Sequence, residues 1–324
     1  MTKGILKSVL LILLAVSLLS GCSASTSSKD DKFIVGINQL AEHPALDDAR
    51  LGFEEALKEA GIEVEFVYQN AQGDIPTSLS ISQKFARDKV DLIYAIATQA
   101  AQSSKQATSD IPILFSAVTD PVLAELVESI EKPGGNVTGT SDATPMKAQL
   151  ETFKKLDPNI ENIGILFNTS EVNSEIQVNQ AKEFAKDLGL VIVEMGVSNI
   201  NDIPQAMDSL IKDIDGFYAI TDNMVASAVA IVADKLNNAG IVSVGAEGSF
   251  VEGGLLVSDG ISYFELGRQT AQMAKLILVD GKSPSEIPSE SAKETTAVFN
   301  PDTLSKLGLD ENNQVFKDAK AIGN

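Results

Sequence analysis

The chain repeats one α/β unit, and this repeat limits its fold more than any other feature. Ile34-Val35-Gly36-Ile37 is a short apolar run that reads as a buried strand. In residues 45–60, Ala45, Ala49, Phe53, Ala56, Leu57 and Ala60 recur at helical spacing, and Gly61 ends the helix. Strands follow at residues 64–68, 92–96 and 113–115. Helices are expected at 75–89, from about 99, and at 121–130; Asp74 and Pro76 mark the first of these. The second series places strands at 163–167, 191–193, 216–220 and 241–244, with helices at 173–188, 203–212 and 224–238. Gly61 matches Gly189, and Asp74-Ile75-Pro76 matches Asp202-Ile203-Pro204, with one offset of 128 residues. Thr98 and Thr221 close matching strands. Strands separated by helices give parallel sheets covered on both faces. Two such sheets predict an α/β protein of two Rossmann-like lobes.

The end of the chain exceeds the two repeats. A strand at 255–258, a helix at 264–278, a strand at 296–299 and a helix from Pro301 remain. They are expected to cross back between the lobes and form a hinge of several strands; the alternative is that they extend the second lobe. The first lobe is then 33–139 with about 262–292 returning. The second is 140–261 with about 293–324 returning.

The first residues read as an export signal. Lys3 and Lys7 precede an apolar run over residues 9–19, too short for a durable span, and Leu19-Ser20-Gly21-Cys22 follows. That ending resembles the bacterial lipobox, in which the cysteine becomes the lipid-carrying first residue of the mature protein. Cys22 is the only cysteine, so an internal disulfide is impossible and lipid attachment accounts for the thiol. An ordinary signal with a chance cysteine is the alternative. Residues 1–21 are therefore expected to be a signal peptide and 22–32, polar and serine-rich, a flexible tether. The expected location is the extracytoplasmic face of the cell membrane, reached through a palmitate-type lipid anchor. With 45 acidic against 25 basic residues the net charge is −20, and loss of Lys3 and Lys7 makes it about −22. Such a surface repels nucleic acid and anionic lipid.

Open α/β sheets place ligands outside the carboxyl ends of their strands, which in two lobes face each other across a cleft. Small polar residues crowd those ends: Gln39 and His43; Thr98; Ser116, Thr119 and Asp120; Thr140 and Ser141. The second half adds Asn168, Ser170, Asn173 and Ser174; Asp222 and Asn223; Glu247; and Asp259. Helix starts among them favour a carboxylate, and the acids suit an ammonium. A zwitterion fits both. Asp222 is expected to meet the ammonium, with Glu247 or Asp120 in reserve. Thr98, Ser141, Ser170, Asn173 and Ser174 are expected to help hold the carboxylate.

These runs resemble a known family. Gly36-Ile37-Asn38-Gln39, Glu42-His43-Pro44-Ala45-Leu46-Asp47, Gly52-Phe53, Ala97-Thr98, Ala117-Val118-Thr119-Asp120-Pro121, Gly139-Thr140-Ser141-Asp142, Asn173-Ser174 and Thr221-Asp222-Asn223 carry the resemblance, which spans nearly the whole mature chain. The chain is similar to the substrate-binding lipoproteins of bacterial ABC importers, in the subgroup associated with tryptophan and other aromatic amino acids. The resemblance implies a type I periplasmic-binding-protein fold that closes on its ligand, leaves it covalently unchanged and delivers it to a permease with its ATPase. It implies no cofactor, and a monomer is expected.

Plainer roles compete with these. Asp47, Asp74 and Asp202 read as helix caps; His43 and Asp120 read equally as caps or ligand contacts, and for Asp222 the two roles are compatible. Ser116 and Ser170 lack a Gly-x-Ser-x-Gly elbow, and a single histidine leaves little for a triad or a histidine-rich metal site. No catalytic residue is assigned. A ligand-sensing module, a sugar or nucleoside receptor on the same fold, and an exported enzyme remain as other readings.

Overall fold

The first half of the chain alternates β1 (Phe33–Gln39), α1 (Pro44–Glu59), β2 (Val64–Asn70), α2 (Ile75–Asp88), β3 (Leu92–Ile96), α3 (Thr98–Ala107), β4 (Ile113–Val118) and β5 (Val137–Ser141). The second runs through α4 (Met146–Leu156), β6 (Asn162–Asn168), α5 (Val172–Leu188), β7 (Val191–Val197), α6 (Ile203–Leu210), β8 (Gly216–Ala219), α7 (Asn223–Ser227) and α8 (Val229–Ala239). It continues with β9 (Val242–Gly245), α9 (Gly248–Glu252) and β10 (Val257–Ile261). Then come α10 (Tyr263–Leu278), β11 (Glu290–Ser291), β12 (Thr295–Phe299), α11 (Pro301–Lys306), α12 (Gln314–Lys317) and β13 (Lys320–Ala321). This computed structural model describes residues 32–322. The expected signal, Cys22 and residues 23–31 of the tether lie outside the described residues.

Every residue of β3 and of β4 is buried, which is why both read as continuous apolar runs and not as alternating ones. α1 turns Leu46, Ala49, Phe53 and Leu57 inward at helical spacing. Asp74 caps α2 by accepting from Thr77 N, and left-handed Gly189 and Gly240 end α5 and α8.

The first sheet has six strands ordered β11-β5-β4-β3-β1-β2, and the second has seven ordered β13-β12-β10-β9-β8-β6-β7. All ladders are parallel except β10 with β12. The chain passes between sheets three times: after β5, after β10 and between β11 and β12. Residues of α10 join the core of the first sheet, including Leu266, Ala271, Ala274 and Ile277. The α1–α10 contact is close enough to need glycine on both sides. A Cβ on Gly52 would lie 2.0 Å from the Phe264 carbonyl oxygen, and one on Gly267 would lie 2.0 Å from that of Ala49.

Some expected elements shift. Residues 121–130 form turns, not a helix. Asp120 Oδ1 accepts from the Val122 and Leu123 N–H groups, Glu125 takes a left-handed φ of 57°, and buried Leu126 and Val127 are drawn under the loop. The helix expected over 224–238 breaks at Ala228 into α7 and α8. Residues 138–141, read as a loop after a strand, belong to β5 itself. The strand expected at 255–258, beyond the two repeats, starts at Val257, and α4 and α9 had no counterpart among the expected elements.

Candidate functional site

In each sheet the strand order reverses direction beside the first strand of the repeat: between β1 and β3 in one, between β6 and β8 in the other. Those are the switch points where ligands of open α/β sheets sit. A cavity of about 460 Å³ opens there between the lobes. Lobe 1 lines it with Leu40, Ala41 and Glu42 after β1, with Gln72, Gly73 and Ile75 around the start of α2, and with Gln99 of α3. Lobe 2 supplies Asn168, Ser170 and Glu171 after β6, Ser198, Asn199 and Ile200 after β7, and Asn223, Met224 and Ser227 of α7. The repeat is visible in this lining, because Leu40 and Glu42 stand 128 residues before Asn168 and Ser170, as Gln72 does before Ile200.

The lining contains two carboxylates and no lysine or arginine. Glu42 is exposed, whereas Glu171 is only 4% exposed. Glu171 is surrounded by donors. Its Oε1 accepts from Asn168 Nδ2 (3.2 Å) and Met224 N (3.3 Å). Its Oε2 accepts from Asn223 Nδ2 (2.6 Å), Asn223 N (3.2 Å) and Asn173 Nδ2 (3.3 Å). Burial, reinforced by nearby Asp222, pushes its pKa up to about 8. The site thus holds an acid fully hydrogen-bonded but without a cation, which a ligand ammonium would complete.

Towards the crossing strands the gap narrows to a chamber of about 10 Å³, walled in part by His43, Asn173, Asp222, Asn223, Glu247 and Tyr263. Side chains bridge the lobes: His43 Nε2 with Asn223 Oδ1 (3.2 Å), Gln99 Nε2 to Asn173 Oδ1 (3.0 Å), and Thr119 Oγ1 with Thr221 Oγ1 (3.2 Å). Burial lowers the His43 pKa, so its ring is neutral, and raises that of Asp142, whose Oδ2 accepts from Tyr263 (2.6 Å). Burial pushes Glu247 up to about 7.

The sequence-derived candidates separate into groups. Asn168, Ser170 and Asn223 line the cavity. His43, Asn173, Asp222 and Glu247 line the inner chamber, and Thr119 bridges the lobes beside it. Thr98 is buried at the start of α3. Ser174 donates to Asp222. The others work elsewhere. Gln39 braces its own lobe through the Ala41 carbonyl and Asp47. Ser116 pairs with Tyr94 (2.5 Å), and Thr140 with Thr270 of α10, because both strands are buried on both faces. Ser141 donates to the Thr119 carbonyl, Asp120 caps its own turn, and the Asp259 carbonyl accepts from Gln149. Glu247 caps α9 through Ser249 N (2.6 Å).

Asp222 faces the inner chamber and not the cavity, and it braces its own lobe. Both of its oxygens are occupied within lobe 2: Oδ2 by Asn168 N (2.7 Å) and Ser174 Oγ (2.7 Å), and Oδ1 by Val225 N (2.8 Å). It is a capping brace with three donors, and an amide cannot accept all three. Asp222→Asn is therefore expected to lower the stability of the ligand-free protein by about 1–3 kcal/mol, the cost of a buried group left unsatisfied. Chemical denaturation checks this; an unchanged midpoint contradicts it.

Glu171 and Gln99 were missed as site residues, although both lie in loops read as cleft-facing. Glu171 had a signal in the amides around it: Asn168 and Asn173 in its own loop. Ala97, before α3, holds φ 85° and ψ 159°, a region almost reserved for glycine, and the next strand end has Ala117 at φ 58°. Strain of this kind collects at ligand clamps. Among the described residues no group of three or more His, Cys, Asp or Glu is placed to hold a metal ion, and no helix is long and apolar enough to cross a membrane.

Residues 34–322 match the family described as ABC transporter substrate binding protein. The chain is 43% identical over 323 residues to the tyrosine-binding protein of Clostridioides difficile, covering 95% of this chain and 93% of that protein. A Streptococcus pneumonia ABC domain solved in complex with L-Trp is 32% identical with a TM-score of 0.86, over 90% of this chain and all of that one (100%). The ligand-free, open structure of a Clostridium difficile substrate binding protein with adhesive properties is 43% identical, yet its TM-score is 0.69, over 90% of this chain and 99% of that one. A lower score at higher identity is what a different angle between the lobes produces, in keeping with the bridges across the cleft here. The two-lobed α/β architecture is that of type I periplasmic binding proteins, and the chain belongs to the ABC transporter substrate binding protein family.

Proposed function

We propose that this protein captures an aromatic amino acid between its lobes outside the cytoplasm and delivers it unchanged to an ABC permease. The observation that carries the reading is Glu171, a buried carboxylate beside an inter-lobe cavity whose lining contains no basic side chain. The ligand ammonium sits against Glu171. The ligand carboxylate is met by neutral donors: Ser170 and the free N–H groups opening α3 and α5. A cavity of about 460 Å³ falls within the ~300–1,000 Å³ range of small-molecule sites. Ile75 and Ile200, 39% and 41% exposed, line it from opposite lobes and supply apolar surface for a large side chain. A tyrosine-binding relative and an L-Trp complex among similar structures support the aromatic choice.

Calorimetric titration with tyrosine, tryptophan, phenylalanine, leucine, ribose and galactose tests it. Saturable binding of an aromatic amino acid, recovered unaltered by mass spectrometry, is expected. A sugar response with none to the amino acids, or a chemically changed ligand, overturns it.

Cys22 is proposed to carry the lipid that tethers the body to the membrane. Cys22→Ser is expected to move the protein from the membrane fraction to the soluble fraction; an unchanged distribution removes the anchor from Cys22.

A further inference from the structure

Glu171 accepts hydrogen bonds from two amides that face the other lobe, and it thereby fixes which way round both must stand. Asn173 Nδ2 lies 3.3 Å from Glu171 Oε2 and 3.1 Å from the Thr221 carbonyl oxygen. Turning this amide over would set oxygen against two acceptors. Asn223 Nδ2 lies 2.6 Å from the same Glu171 oxygen, so turning it over would set oxygen against that one acceptor. Each amide therefore presents its carbonyl oxygen across the gap. Asn173 Oδ1 takes Gln99 Nε2 (3.0 Å), and Asn223 Oδ1 faces His43 Nε2 (3.2 Å).

Lobe 1 must answer with donors, and this has a price in leftover acceptors. With its NH₂ committed to Asn173, Gln99 is left with Oε1 buried and unpartnered. With Nε2 donating to Asn223, neutral His43 keeps Nδ1 as an unprotonated acceptor, and that atom is also buried without a partner. Gln99 lines the cavity. It is joined to the Glu171 corner through a single intervening side chain.

We propose that Gln99 is a specificity-determining residue: its side-chain carbonyl, oriented through Asn173 by Glu171, accepts an N–H of the ligand ammonium. The inference rests on the amino-acid reading above and extends it from one contact to two. An ammonium has three donors. Glu171 takes one and Gln99 another, so the group is recognised from both lobes at once, and only in the closed form. A ligand lacking the amine leaves the Gln99 carbonyl orphaned, which selects against it.

Two measurements test this on the full protein. The first compares tyrosine with its des-amino analogue, 3-(4-hydroxyphenyl)propionate, on the parent and on Gln99→Met. Loss of the Asn173 bridge weakens both ligands alike. Loss of the carbonyl contact weakens tyrosine alone, so the preference for tyrosine is expected to shrink by about tenfold or more. A preference unchanged within about twofold overturns the inference while leaving amino-acid binding intact. If the parent binds no amino acid, the functional reading fails first and the inference falls with it.

The second measurement needs no variant. His43 is the only histidine, so its ¹⁵N signals are unambiguous. In the tyrosine-saturated protein they are expected to show the Nε2–H tautomer. An Nδ1–H tautomer shows that Glu171 does not set the sense of the His43–Asn223 contact, and overturns the part of the proposal in which Glu171 orients the facing amides.

Discussion

Glu171→Gln is expected to weaken aromatic amino-acid binding by about 2–5 kcal/mol, the scale on which a buried charge partner is lost. The ligand-free fold is expected to be no less stable. Glu171 is a buried acid beside Asp222 with no cation, so the empty cleft favours its neutral, protonated form. The glutamine has nearly the same shape and is also neutral, though one of its ends must adapt to the surrounding donors. Calorimetry and denaturation on the same variant separate the two effects. Binding within about threefold of the parent, under ~0.7 kcal/mol, rules Glu171 out as the ammonium partner. This pattern is the reverse of that expected for Asp222→Asn, where stability falls first.

Amino-acid binding is expected to strengthen from pH 6 to pH 8 and to release a proton. The pKa of Glu171, about 8, lies far above the ordinary carboxylate value of 4.5. The ligand-free fold therefore favours the protonated acid. That contribution to stability is fully present below about pH 4.5 and is lost as pH rises through about 8. Glu247 acts in the same direction, with its loss complete around pH 7. A bound ammonium favours the ionised Glu171 and pulls the pKa back down. Affinity then rises by up to about tenfold per pH unit over this window, while the ligand-free melting temperature declines. Titrations at pH 7 in phosphate and in Tris, whose ionisation enthalpies differ, read the proton directly. Equal apparent enthalpies in the two buffers contradict the linkage.

The repeat was legible because its signals are local. Helical periodicity, the glycine stops and the Asp-Ile-Pro turns act within a few residues of chain. The cleft loops followed from strand ends. Which acid in those loops faces a ligand was not legible. Asp222 and Glu171 both follow buried strands, and both accept from backbone N–H groups. The number of partners does not separate them, since Glu171 accepts five hydrogen bonds and Asp222 three. The cavity does: it opens beside Glu171, whereas Asp222 is closed in by the Asn168 backbone and Ser174. Those neighbours are 54 and 48 residues away along the chain, beyond any local pattern. Ser116 and Thr140 misled for a related reason. A polar residue near a strand end points to the cleft only if its strand has an open side, and β4 and β5 have none. The loop at 121–130 lost its helix to Leu126 and Val127, whose burial bends the chain inward.

The glycine contact between α1 and α10 has a mechanical meaning. α1 starts next to His43, and α10 starts at Tyr263, directly after the chain leaves β10 for the first lobe. With Gly52 and Gly267 letting the backbones touch, no compressible side chain lies between the two helices at that point. The pair moves as one stiff body, and it carries both His43 and Tyr263, which wall the same inner chamber. Any rotation of the first lobe that moves this body moves His43 with it, so opening of the cleft and loss of the His43–Asn223 bridge are a single event.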